Sequence, residues 1–179
     1  MSRPPRRSLV LAGLGGALLL AGCGGSDVPE PAQYCPLPGI INGLDSDSVY
    51  RGGALDGPEA ELEYMVSLQG ITGGCVYDDV GLEVNLGIDV VVEPGPAFAG
   101  GSVTVPWFVA VADGDGTIID KVPFSSEVVV PPGAPRAGNR ETIQQRFPGL
   151  EAQVGGFYRL YLGLQLDRDK AMKKRATLP

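Results

Sequence analysis

The chain has 179 residues, with 14 basic side chains, 21 acidic side chains, no histidine and a formal net charge of −7 at pH 7. Without histidine, Ser-His-Asp and Cys-His catalysis and nearly all catalytic zinc sites are excluded, because each of them needs an imidazole. The negative charge argues against nucleic acid as a partner, since the phosphate backbone would repel the protein. We therefore expect no enzyme activity, no metal and no cofactor.

The N-terminus predicts a secretory signal. The first seven residues, MSRPPRR, carry three arginines and no acid, and residues 9–22 form an apolar run of about fourteen residues. A helix needs about 20 apolar residues to span a bilayer, so this run is too short. A basic segment, a short apolar segment and small residues at its end are typical of a cleaved signal peptide, here residues 1–22.

The end of this signal, Leu20-Ala21-Gly22-Cys23, resembles the lipobox of bacterial lipoproteins. The resemblance implies cleavage before Cys23, acylation of that cysteine and attachment to the membrane through its acyl chains. Gly24 follows it, where inner-membrane retention in enteric bacteria uses aspartate, so we expect the outer membrane and a domain facing the periplasm.

Removal of residues 1–22 leaves eleven basic and twenty-one acidic residues, a net charge of −10. Residues 23–34 read as a lipidated flexible tether because they combine glycine, proline and acids without periodicity. Residues 35–179 suit one domain with its own core. Cys35 and Cys75 then form an even pair, and a disulfide is the expectation in an oxidising compartment. Two free thiols or a two-cysteine metal site are the alternatives.

The dominant hydrophobic period is two. Every even position from Val80 to Val92 is apolar, which predicts a strand with one buried face, with Gly87 as a bulge or bend. Residues 102–112 and 117–130 predict further strands joined by a hairpin at Asp113-Gly114-Asp115-Gly116. These four residues resemble a calcium loop, but both anchoring acids are missing.

Further strands are predicted near Ile40 and at residues 62–70, 75–77, 142–147 and 157–166, with a proline-rich loop at 129–139. Residues 62–70 also allow a helix. This pattern favours an all-β, antiparallel two-sheet sandwich, with an Ig-like topology expected and a small barrel as the alternative. A short C-terminal helix or solvated tail ends the chain, in which Lys173, Lys174 and Arg175 could contact an anionic surface.

The strand around Trp107 has an unusually apolar second face. Pro106 places that part of the strand at an edge or a bulge, because proline cannot donate to a ladder. Phe108 is either covered by a loop such as 131–139, which we favour, or forms an exposed partner patch with Tyr161 and Arg159.

Two segments, VPWFVAVAD and YRLYLGLQLDRDKAMKKR, resemble a family of uncharacterised lipoproteins from alphaproteobacteria. Its members share the lipobox, two later cysteines and a Tyr-Arg-x-x-x-Gly-x-Gln-Leu strand, although the aromatic-containing ending of the family is absent here. The resemblance implies membrane attachment and the fold, and no activity. We expect a lipid-anchored envelope protein that binds an envelope protein as an accessory or assembly factor. The alternatives are a structural envelope protein without a dedicated partner and, less favoured, a glycan hydrolase using paired carboxylates.

Overall fold

The computed structural model describes residues 34–177, so the predictions for the signal peptide, for Cys23 and for most of the tether lie outside the described residues. Within them the chain forms eight β-strands and one α-helix. The strands are β1 (Leu37–Ile40), β2 (Ser46–Tyr50), β3 (Leu62–Tyr77), β4 (Gly81–Pro94), β5 (Gly101–Ala112), β6 (Ile118–Val130), β7 (Ala137–Pro148) and β8 (Arg159–Leu164), and the helix is α1 (Arg168–Thr177). Short 3-10 turns occupy Arg51–Gly53, Glu59–Glu61 and Gly155–Phe157.

The strands form two four-stranded sheets that pack face to face. Sheet I has the order β1-β8-β5-β6 and sheet II the order β2-β3-β4-β7. All neighbouring strands are antiparallel except β1 and β8, which are parallel. The predicted all-β two-sheet sandwich is confirmed. Its strand order differs from the immunoglobulin arrangement, because β2, β3 and β4 lie side by side in chain order, whereas an immunoglobulin sheet places strand E beside strand B.

The core lies between the two sheets, where alternate residues of each strand point inward. Its members are almost all aliphatic: Val66, Leu68, Leu82, Val84, Leu86, Ile88, Val90, Val92, Val103, Val105, Trp107, Val109, Val111, Val128, Val130, Ile143, Leu160, Leu162 and Leu164. Trp107 is 1% exposed, stacks on Phe124 with the ring centroids 4.6 Å apart, and donates from Nε1 to Ser126 Oγ at 2.9 Å. This hydrogen bond satisfies the one polar atom of the buried indole.

A bulge or bend was predicted at Gly87 of β4, but the irregularity lies in the neighbouring strand β3. The β3–β4 register shifts within residues 69–72, where Gly70 has a φ of +66°, a conformation that glycine adopts most readily. At Gly87, a Cβ would lie 2.6 Å from Nη2 of Arg140. The Arg140 Nη1 donates at 2.8 Å to the Gly70 carbonyl and at 2.8 Å to Asp89. Gly87 therefore gives the arginine room to reach across the sheet to the bulge.

Pro106 lies inside β5, a central strand, and not at an edge or bulge. The ladder between β5 and β8 ends at the pair Trp107–Leu164, so Pro106 is just beyond it. The Pro106 carbonyl accepts a hydrogen bond from the Gln165 N–H at 2.8 Å. The proline is tolerated because its missing N–H falls where the strand on that side has ended.

Candidate functional site

The three residues that the sequence analysis proposed as a partner patch lie on one face of the molecule. Across the β5–β8 ladder, Ala110 is opposite Tyr161 and Phe108 is opposite Gly163. Directly opposed residues of antiparallel strands project to the same side of the sheet, and Arg159 lies two residues before Tyr161. We call this surface of β1, β8, β5 and the first half of β6 the sheet I outer face.

Phe108 is buried within this face, with 6% of its surface exposed. The Nζ of Lys121 lies 3.9 Å from the centroid of its ring. A Cβ at Gly163 would lie 3.1 Å from the Phe108 ring and 3.0 Å from the Cβ of Leu44, so both side chains pack over this glycine. Lys121 therefore lies over the ring for which we expected a cover from residues 131–139, and Leu44 packs beside it over Gly163. Of the two alternatives, a covered or an exposed Phe108, the structure shows the covered one. Phe108 therefore contributes almost no exposed surface to a partner patch.

The accessible part of the sheet I outer face combines an aromatic ring with two cations. Tyr161 and Arg159 are half-buried, and Lys121 is exposed. Within residues 34–177, neither cation forms a salt bridge. Arg159 donates from Nη1 to the carbonyls of Gly156 at 2.7 Å and Tyr158 at 2.9 Å, which leaves its other N–H groups available.

The outer face of sheet II is polar, and both of its arginines are paired. Arg146 donates to Asp78 and to Glu83, at 3.0 Å for each pair. The hydrogen bond from Arg146 lowers the pKa of Asp78, and those from Asn85 and Arg146 lower the pKa of Glu83. Arg140 is held by the bonds described above. The arginines of this face are therefore paired with its own carboxylates, in contrast to the cations of the sheet I outer face.

The tether end is the end of the sandwich formed by the turns at 78–80 and 113–117, the segment 149–157 and the first described residue, Tyr34. The predicted disulfide between Cys35 and Cys75 is present, with the Cα atoms 5.7 Å apart. The Tyr77 hydroxyl donates to the Tyr34 carbonyl at 2.6 Å, and burial raises the pKa of Tyr77. The point at which the chain enters the domain is thus held covalently and by a hydrogen bond.

Exposed apolar side chains are concentrated at the tether end. Thirteen large apolar side chains are exposed within residues 34–177, and eight of them lie in the tether end or in the strand ends next to it: Tyr34, Leu37, Val76, Val80, Ile118, Ile119, Val154 and Phe157. The turn at 113–117, the predicted hairpin, lies beside Phe157. In this turn Asp113 accepts hydrogen bonds from the N–H groups of Asp115 and Thr117, at 3.0 Å and 2.9 Å. The carboxylate predicted as a turn former is thus used by the turn itself.

The helix end lies at the other end of the strands and consists of α1, β2 and the segment 51–61. Lys170 Nζ lies 2.7 Å from Asp47 Oδ2, and the two side chains are only 14% and 9% exposed. Lys174 bonds the Ser46 carbonyl and lies 3.8 Å from Asp47 Oδ1, and Lys173 bonds the exposed carboxylate of Asp56. The expectation of a solvated tail is wrong for these lysines, because carboxylates and free carbonyls of the edge strand β2 hold them.

A cleft lies between α1 and β2, with a volume of about 340 Å³. Besides the three lysines, Asp47 and Asp56, polar residues line it: Ser46, Ser48, Tyr50, Ser67, Glu93 and Thr177. A second cavity of about 190 Å³ adjoins it and shares Asp47, Val66 and Lys170 with it. Leu55, Met65 and Val66 add apolar surface, so the helix covers a cleft of mixed polar and apolar lining that continues towards the gap between the two sheets.

Sequence reasoning missed Lys121, Asp47 and Asp56 as members of these surfaces. The position of Lys121 over Phe108 follows from the β5–β6 register, which cannot be read from the sequence. The sequence analysis named Lys173, Lys174 and Arg175 for contact with an anionic surface; it did not single out Lys170, and nothing in the sequence identified β2 as the surface that receives the lysines.

No protein family model matches the chain, and no curated protein matches it. Across residues 34–177, no helix has the length and apolar character needed to cross a membrane. In the same range no group of three or more histidine, cysteine, aspartate or glutamate side chains is arranged to hold a metal ion.

Proposed function

We propose that the protein is a lipid-anchored envelope protein, attached through acyl chains on Cys23 to the periplasmic side of the outer membrane. It acts by binding, as an accessory or assembly factor of a cell-envelope complex. The lipobox-like segment ending at Cys23 supports the anchor. The exposed apolar side chains at the tether end also support it, since Tyr34, the described residue nearest in sequence to Cys23, lies there.

The contrast between the two outer faces carries the proposal that the protein acts by binding. Sheet II pairs its arginines with its own carboxylates, whereas Arg159 and Lys121 of sheet I, beside Tyr161, form no ion pair with any residue that the structure describes. Tyrosine and arginine are enriched among the residues that dominate binding energy at protein interfaces. In a mature chain of net charge −10, unpaired cations around an aromatic side chain suit an acidic surface on a partner.

Photo-cross-linking tests this binding surface. A photoreactive phenylalanine derivative is introduced at Tyr161 in the full-length protein, and at Gln144 on the outer face of sheet II as the matched control. We expect illumination of intact cells to link an envelope protein at position 161 and not at 144, with Arg159→Glu reducing the yield. Equal products at the two positions, or none at 161, would contradict the proposed surface, and none at either would favour a structural role.

The anchor is tested separately. Mass spectrometry of the mature protein is expected to find acyl chains on an N-terminal Cys23, and Cys23→Ala is expected to release the protein from membranes. An unmodified Cys23 in the membrane fraction would contradict the anchor and leave the binding surface to be judged by the cross-links.

A further inference from the structure

The helix α1 is strongly basic and has no buried apolar face, unlike a helix that packs into a hydrophobic core. Its ten residues contain five basic side chains and one acidic one, and none of the ten is buried. A packed helix is normally held by an apolar stripe, and an isolated helix of this length is marginal in water. The position of α1 therefore depends on the contacts that its lysines make with the sandwich.

The groups that bind these lysines are carboxylates and backbone carbonyls of the sandwich. Lys170 Nζ bonds Asp47 at 2.7 Å and lies 3.4 Å from the Ser48 carbonyl, and Lys173 lies 3.4 Å from the Leu55 carbonyl in addition to its bond with Asp56. β2 is the edge of sheet II, so its outward carbonyls have no further strand to pair with. Ammonium groups spaced i, i+3 and i+4 on a helix are therefore bound both by carboxylates and by a sheet edge.

Glu93 lines the same cleft and forms no salt bridge within the described residues. With α1 moved aside, the cleft would present Asp47, Asp56 and Glu93 together with the carbonyls of β2. Such a surface matches a basic segment and repels an acidic one. Because α1 buries no apolar side chain, exchanging it for a segment with the same lysine spacing loses no core packing.

We propose that this acidic cleft binds a lysine-bearing helical segment of another protein, and that α1 is an internal competitor for it. The connection from β8 to α1 is only residues 165–167, so α1 is present at a high effective concentration and keeps the cleft occupied. A partner gains access when its lysine-bearing segment, present once or in several copies, outcompetes α1 for the cleft. This binding site is independent of Cys23 and of the sheet I outer face.

The test uses the full-length protein and a fluorescent peptide of residues 168–177 as the basic segment. In one variant, Lys170→Glu, Lys173→Glu and Lys174→Glu together repel α1 from the cleft. We expect this variant to bind the peptide at least about tenfold more tightly than the unchanged protein in fluorescence anisotropy at low salt, since the internal competitor is gone. Adding Asp47→Asn to the variant is expected to weaken binding about tenfold, whereas Asp113→Asn, in the distant turn, should leave it unchanged.

A second measurement does not depend on the variant. Excess peptide added to the unchanged protein is expected to increase hydrogen exchange of the α1 amides, while exchange in β4 and β5 stays constant. A peptide of the same composition with the lysines moved off one helix face is the control.

The proposal is wrong if the opened variant binds the native and rearranged peptides equally, or if neither measurement detects binding. It is also wrong if analytical ultracentrifugation shows that the triple lysine-to-glutamate variant self-associates and does not bind the peptide. The cleft would then be occupied by a second copy of this chain.

Discussion

The two ends of the sandwich hold the terminal segments of the chain by different physical means. At the tether end, a disulfide and the hydrogen bond from the Tyr77 hydroxyl fix the entering chain among exposed apolar side chains. At the helix end, α1 is held by lysines on Asp47, Asp56 and the carbonyls of an edge strand. A covalent clamp suits a segment that bears mechanical load from an anchor, and ionic contacts suit one that exchanges. The difference agrees with our two proposals, an attachment through Cys23 at the tether end and an exchangeable contact of α1 at the helix end.

The largest expected effect comes from breaking the clamp. Replacing both Cys35 and Cys75 with serine removes a cross-link between residues 40 apart in sequence, which we expect to lower the free energy of unfolding by about 3–4 kcal/mol. Urea denaturation under non-reducing conditions measures this loss. Hydrogen exchange should rise around Tyr34 and β1 and remain unchanged in α1. A comparable rise in α1 would show that the two ends are coupled.

The next effect comes from the partly buried ion pair of Lys170 and Asp47 at the helix end. Lys170→Ala leaves Asp47 without its closest cation, and we expect a loss of about 2 kcal/mol in urea denaturation. This is less than the roughly 3–5 kcal/mol usual for breaking a buried pair, because Lys174 remains 3.8 Å from the same carboxylate. Arg175→Ala, on the same helix and without a salt bridge in the described residues, is the matched control and should cost much less.

Salt separates the two ends without a mutation. In 1 M NaCl the screening length falls to about 3 Å, so the exposed pair of Lys173 and Asp56 should weaken. We expect hydrogen exchange of the α1 amides to increase by about two- to fivefold, and no change around the Cys35–Cys75 disulfide. An unchanged exchange rate in α1 would mean that contacts other than charge hold the helix.

The smallest expected effect is pH dependence at the tether end. The pKa values of Asp78 and Glu83 are lowered in the folded protein, so their ionised forms favour folding above their ordinary pKa values. This contribution is lost as the pH falls through the folded pKa values. We expect the turn at 78–80 to exchange faster as the pH drops from about 5 to about 3, after correction for intrinsic exchange. Arg146→Gln removes the cation that Asp78 and Glu83 share and should reduce this pH dependence. An unchanged dependence of the exchange rate on pH in this variant would contradict the assigned role of Arg146.

The central strands were predictable because their burial imposes a period of two on the sequence. The alternation predicted from Val80 to Val92 is confirmed from Leu82 onwards by the buried positions of β4, whereas Val80 precedes the strand and is exposed. The Asp113–Gly116 hairpin follows from residues that tolerate a tight turn. The Cys35–Cys75 pairing was predictable because two cysteines allow one intramolecular disulfide.

The edges were not predictable in the same way. β2, with the sequence SDSVY, is polar because it lies at the edge of sheet II and faces α1, so it lacks the alternation of a half-buried strand. β3 is one strand of sixteen residues that was predicted as two, since the bulge at 69–72 interrupts its period. The burial of Phe108 goes with its place in a central strand and with Lys121 lying over its ring, both of which depend on how the strands pair.

The sequence by itself determined the fold class, the turn chemistry and the cysteine pairing, because hydrophobic period, backbone preference and cysteine number are local or countable properties. It also supplies the signal and lipobox resemblance on which the proposed anchor depends. Only the tertiary structure decided which strands are neighbours, which cations remain unpaired and where the basic helix binds. Those properties depend on contacts between residues as far apart as Asp47 and Lys170, and long-range proximity leaves no periodic signal in a single sequence.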